Sequence, residues 1–147
     1  ADEPVSALDV TIQAQILKLI LELKEKYSLT ILFISHDLSV INQIADRVMV
    51  MYLGHLVEVA STKKLFSNPK HPYTKSLIET APQIFRKNKN KIILKGDIPS
   101  PINPPSGCVF RTRCPHASKD GKEANIEMGL VEVEKGHWVD RCATSCN

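Results

Sequence analysis

At 147 residues, with 43% hydrophobic and 24% charged side chains, the chain has an ordinary globular composition and can bury one modest core, which excludes wholesale disorder. The net charge of +3 is small, and the basic run Arg86, Lys87, Lys89 and Lys91 has no interleaved aromatic rings to stack on bases, so it reads as a solvated linker and no nucleic-acid partner is expected. No segment approaches the roughly 18 consecutive apolar residues of a membrane span and no signal peptide is apparent, so any link to a membrane is expected to run through a partner.

The chain opens on Ala1-Asp2-Glu3-Pro4, and Asp9 is a good N-cap for a helix from Val10 to about Tyr27, where Ile12, Ile16, Leu19, Ile20 and Leu23 recur at helical spacing. Thr30 to Ser35 is short, continuously apolar and rich in β-branched residues, the pattern of a strand buried on both faces inside a parallel sheet. Asp37 to Ala45 reads as a short helix, Arg47 to Tyr52 as a second buried strand, and Leu56 to Ala60 as a third after a turn at Gly54. Helix alternating with strand makes the class α/β.

Thr62 to Phe66 and Thr74 to Thr80 look like short helices separated by Asn68-Pro69-Lys70-His71-Pro72. His71 is expected to cap or pack the second of them, and His55 to be structural. Ile92 to Leu94 is a short strand candidate, after which Pro99, Pro101, Pro104 and Pro105 exclude regular structure through Gly107. The composition shift places a domain boundary near residue 83, giving units 1–82 and 83–147.

In open α/β sheets, ligands bind beyond the carboxyl ends of the strands. Asp2-Glu3 and His36 both occupy that position, so a carboxylate pair and an imidazole should reach one edge. Such a set suits nucleoside triphosphate hydrolysis: an oxygen ligand for Mg²⁺, a group to orient water, and a donor to the γ-phosphate.

The order of residues sharpens this. Asp2-Glu3-Pro4-Val5-Ser6-Ala7-Leu8-Asp9 closely resembles the end of the Walker B motif and the D-loop of ABC-transporter ATPases, and Ser35-His36-Asp37 resembles their H-switch. The resemblance implies that Asp2 supports Mg²⁺, Glu3 is the general base or water-positioning carboxylate, and His36 contacts the γ-phosphate of ATP. It also implies that Ser6 and Asp9 reach across to a second ATPase subunit. Met51-Tyr52-Leu53-Gly54, Asn68-Pro69, His71-Pro72-Tyr73-Thr74 and Gly96-Asp97-Ile98-Pro99-Ser100-Pro101 are similar to the oligopeptide and dipeptide importers, whose ATPase subunits carry a C-terminal extension. Transmembrane permeases and an external peptide-binding protein are the further partners implied, and the cytoplasmic face of the membrane is the location.

The phosphate-binding Gly-Lys-Ser/Thr loop, the Q-loop and the Leu-Ser-Gly-Gly-Gln signature do not occur in this sequence. In the family all three precede Walker B, so the chain is expected to be the C-terminal portion of a longer P-loop subunit and inactive by itself. The alternative is a stand-alone regulatory or metal-binding module with vestigial ATPase motifs.

All four cysteines, Cys108, Cys114, Cys142 and Cys146, lie in the last 40 residues, with His116 and His137 nearby. They supply soft ligands for zinc or an iron–sulfur cluster, though their spacing matches neither a compact zinc knuckle nor a ferredoxin run. The segment from Gly107 to Pro115 again resembles the extension of peptide-importer ATPases, some of which hold a [4Fe–4S] cluster there through four cysteines. Gly121 stands where that family has its third cysteine. The reading therefore favours three-ligand or degenerate binding with free thiols over an intact four-cysteine cluster, and leaves open Zn²⁺ held by three cysteines and one histidine.

Overall fold

A computed structural model describes residues 1–81, 94 and 96–144, in two compact units, 1–46 and 47–147. The expected boundary near residue 83, the basic run, most of the 92–94 strand candidate and Cys146 lie outside the described residues.

In the first unit, helix α1 spans Val10–Tyr27. Asp9 starts it by accepting from the N–H groups of Thr11 and Ile12, both at 3.0 Å, which satisfies two of the orphan donors at a helix start. Ser28 ends it in the left-handed region, at φ +50°. Helix α2, Leu38–Ile44, is capped in the same way by Asp37. Val5, Leu17 and Val40 form the core, with Ile16, Phe33 and Ile44 packed against them. The apolar repeat of α1 therefore builds the expected helix, but Ile12, Leu19 and Leu23 stay exposed.

The expected buried strand at residues 30–35 is corrected. Only Ile34 is bridged, in parallel with Asp2, and Leu32 and Ile34 are exposed. Its pairing is nonetheless of parallel type: Ile34 N–H donates to the Ala1 carbonyl at 2.9 Å and Glu3 N–H donates to the Ile34 carbonyl at 3.0 Å. With a partner along one edge and none of its residues fully buried, the segment stays short of a regular ladder.

The second unit is built on a four-stranded sheet in the order β1-β2-β4-β3, formed by β1 (Arg47–Tyr52), β2 (His55–Ser61), β3 (Leu130–Glu134) and β4 (His137–Asp140). Every pairing in it is antiparallel. The turn between β1 and β2 has positive φ at Leu53 (+46°) and Gly54 (+79°), the signature of a two-residue hairpin whose twist matches the strands.

β1 is not the doubly buried strand its apolar run suggests: Val48, Val50 and Tyr52 point into the core while Arg47, Met49 and Met51 are exposed. Arg47 and Met49 line an open groove of about 380 Å³ with Leu56, Val59, Leu130 and Trp138. β2 is the strand buried on both faces, from Val57 to Ala60, because it lies between β1 and β4.

Helices α3 (Thr62–Ser67) and α4 (Pro72–Thr80) follow. Pro72 opens α4, where a missing N–H costs nothing, and the His71 ring caps it by accepting from Tyr73 N–H at 3.1 Å, as its place in the sequence suggests. Tyr52, His71, Tyr73 and Phe110 pack their rings at centroid distances of 4.9 to 5.6 Å. The tail is more regular than its proline content implies, since β3 and β4 form a hairpin and β4 pairs with β2. A four-residue helix, α5 (Arg141–Thr144), closes the described chain.

Candidate active site and a buried carboxylate hub

Parallel pairing of residues 1–3 with 32–34 sets Glu3 beside His36. The Glu3 carboxylate accepts from His36 N–H at 3.1 Å and lies 2.9 and 3.1 Å from His36 Nδ1 through its two oxygens. Glu3 is held at φ +46°, a left-handed conformation that non-glycine residues rarely adopt and that tends to occur at functional sites. Ser6 steadies it, donating to the Glu3 carbonyl from Oγ at 3.0 Å and from N–H at 3.3 Å. Hydrogen bonding and attraction from Glu3 raise the pKa of the exposed His36 ring above its usual 6.5.

Ser35 and Asp37 frame this pair, with Asp37 N–H donating to Ser35 Oγ at 3.0 Å. Asp2, exposed, forms the bridge to Ile34. Of the residues singled out in the sequence, Asp2, Glu3, Ser6 and His36 are thus brought together. The Asp9 carboxylate is engaged at the head of α1.

A second constellation lies in the other unit and was not read from the sequence. Glu58, on β2, is fully buried, and its carboxylate takes three donors: Lys70 N–H at 2.8 Å, His71 N–H at 2.9 Å and His137 Nε2 at 2.7 Å. This hub ties the loop before α4 to strand β4. Lys70 pairs with Glu134, and Lys64 Nζ donates to the Lys135 carbonyl at 2.6 Å, so the β3–β4 hairpin is held at several points. The only local hint was an acidic residue inside an apolar strand, since a buried carboxylate must find donors.

Among the cysteines, Cys108 and Cys142 are buried and Cys114 is partly exposed. Burial raises the Cys108 pKa, against a smaller lowering from Cys142. Among the described residues no three His, Cys, Asp or Glu side chains converge as metal ligands. His137 is engaged by Glu58, and Gly121 sits at φ +69° with open space where a side chain would project.

Residues 57–120 match the family model described as "Oligopeptide/dipeptide transporter, C-terminal region". The chain is 55% identical over 142 residues to the oligopeptide transport ATP-binding protein AppF of Bacillus subtilis, covering 95% of this chain and 43% of that protein. It is 53% identical over 122 residues to the oligopeptide transport ATP-binding protein OppF of Salmonella typhimurium, covering 81% of this chain and 36% of that protein. The chain spans about two-fifths of the length of the curated relatives it matches. No helix among the described residues is long and apolar enough to cross a membrane. Over nearly its whole length the chain is thus similar to oligopeptide transport ATP-binding proteins, and residues 57–120 match the oligopeptide/dipeptide transporter C-terminal region.

Proposed function

We propose that the chain supplies the water-activating and phosphate-sensing side chains of an ATPase subunit that drives peptide import. The observation that carries this reading is the Glu3–His36 pair, held by parallel backbone pairing at one edge. The adjacent carboxylates of Asp2 and Glu3 are hard oxygen donors that fit Mg²⁺. The Glu3 oxygens face His36 Nδ1 and keep further lone pairs for a water, so Asp2 is the residue that would hold the ion. Mg²⁺, when bound with ATP, supplies neutralisation of developing phosphate charge.

Glu3 then orients the attacking water and accepts its proton. Its contact also supports a donor role for His36, because a carboxylate at Nδ1 keeps a proton there. In the neutral ring Nε2 is therefore an acceptor, while the raised pKa favours the imidazolium, which donates at Nε2 as well. That second donor is what a γ-phosphate requires. Ser6, which braces Glu3, and Asp9 belong to the segment that would face a second ATPase subunit. Permease subunits, an external peptide-binding protein and a peripheral position on the cytoplasmic face of the membrane complete the assignment. The sequence has no Gly-Lys-Ser/Thr loop, and most phosphate-binding donors come from such a loop, so this segment alone should not turn over ATP.

ATPase assays on the full-length subunit test the proposal. Glu3→Gln should lower kcat by about 10²- to 10⁴-fold, the range for loss of a general base, with little change in nucleotide binding. His36→Ala should also depress kcat. Hydrolysis unchanged by Glu3→Gln would overturn the assignment.

A further inference from the structure

We propose that Ser35 is a positioning residue for the nucleotide site: its hydroxyl closes a turn around His36 and so aims that residue at Glu3. The inference rests on the proposed roles of Glu3 and His36 and adds a residue that has no part in them so far.

Ser35 stands where two kinds of backbone support stop. Parallel pairing carries the chain as far as Ile34, whose N–H donates to the Ala1 carbonyl at 2.9 Å and whose carbonyl accepts from Glu3 N–H at 3.0 Å. Helical bonding starts at Asp37, whose carbonyl accepts from Ile41 N–H at 3.1 Å and whose carboxylate caps α2 through Ser39 N–H at 2.8 Å. That helix is seated in turn by Val40 and Ile41, both buried. His36 lies in the gap between these supports, and its side chain is exposed, so core packing does not hold it.

The half-buried Ser35 bridges the gap. Its Oγ accepts from Asp37 N–H at 3.0 Å, a side-chain-to-backbone turn that encloses one residue. The enclosed residue is His36. With its two neighbours tied to each other, His36 presents its N–H to Glu3 Oε1 at 3.1 Å and its Nδ1 to the same oxygen at 2.9 Å. One carboxylate oxygen thus meets both the backbone and the ring of one residue, an arrangement that tolerates little rotation of the 35–37 turn. Alanine at position 35 offers no acceptor to Asp37 N–H, and the turn loses its tie.

The effect is on placement, so it belongs in turnover and not in nucleotide affinity. In the full-length subunit, Ser35→Ala should lower kcat for ATP hydrolysis by about 2- to 10-fold, the worth of one net hydrogen bond, with KM for ATP unchanged. Ser35→Thr, which keeps the hydroxyl, should restore kcat. In the nucleotide-free subunit, Ser35→Ala should speed hydrogen exchange at the His36 amide by a similar factor. If Glu3→Gln leaves kcat intact, the nucleotide-site reading falls by itself, and amide exchange still decides whether Ser35 holds His36. Unchanged His36 exchange in Ser35→Ala would overturn the proposal. So would a kcat that Ser35→Ala leaves intact while Glu3→Gln lowers it, a loss that threonine does not restore, or a loss matched by a rise in KM.

Discussion

Replacing Glu58 with alanine should loosen the loop before α4 far more than the loss of a surface carboxylate would. The side chain is fully buried and accepts from Lys70 N–H, His71 N–H and His137 Nε2 at 2.7 to 2.9 Å. Alanine leaves two buried donors and one half-buried donor without acceptors, at about 1–3 kcal/mol each. Because the three share one network and relax together, a total of roughly 3–6 kcal/mol is expected, below the simple sum of the largest values. Glu127→Ala is the comparison, since Glu127 is 90% exposed and 4.0 Å from Arg141, a geometry that contributes less than about 1 kcal/mol. Amide hydrogen exchange in the full-length protein gives a local readout at Lys70 and His71. A loss of about 3 kcal/mol speeds exchange through opening by roughly 10²-fold. Rates within a factor of ten of the parent protein would refute the claim that the Glu58 hub holds this loop.

Gly107→Ala should be among the most damaging small substitutions in the tail, because an added Cβ would clash with the Glu123 carbonyl oxygen and the Ala124 carbonyl, at φ +64°. Gly121→Ala, at φ +69° in open space, should cost only about 1–2 kcal/mol of left-handed backbone strain, and comparing the melting temperatures of the two variants checks the contrast. The His36 ring should titrate above 6.5 by NMR and fall back in Glu3→Gln. Since its folded pKa is raised, its stabilising contribution is present below the unfolded pKa and fades as pH rises through the folded value. His71 has the opposite sign, because burial lowers its pKa to about 4. Below about pH 6.5 the unfolded chain takes up a proton that the folded ring resists, so stability falls by roughly 3 kcal/mol on reaching pH 4. His71→Asn, which keeps a capping acceptor, should flatten that dependence in pH-resolved urea unfolding.

Much of this protein was legible in its sequence where the determining interaction is local. Asp9, Asp37 and His71 each cap a helix through an N–H two or three residues away, and Leu53-Gly54 sets a hairpin by backbone conformation alone. The resemblance to ABC-transporter ATPases is likewise carried by short local runs, Asp2-Glu3-Pro4 and Ser35-His36-Asp37. The tail hairpin was missed because β3 and β4 are five and four residues long, too short for alternation to stand out beside the prolines and glycines.

Tertiary structure decided what lies between distant residues. Glu3 and His36 are 33 positions apart and meet because two strand ends pair in parallel. Glu58 and His137 are 79 apart and meet because β4 docks on β2. No short-range rule fixes either contact. A buried carboxylate announces that it needs donors, but only the packed sheet determines which ones reach it.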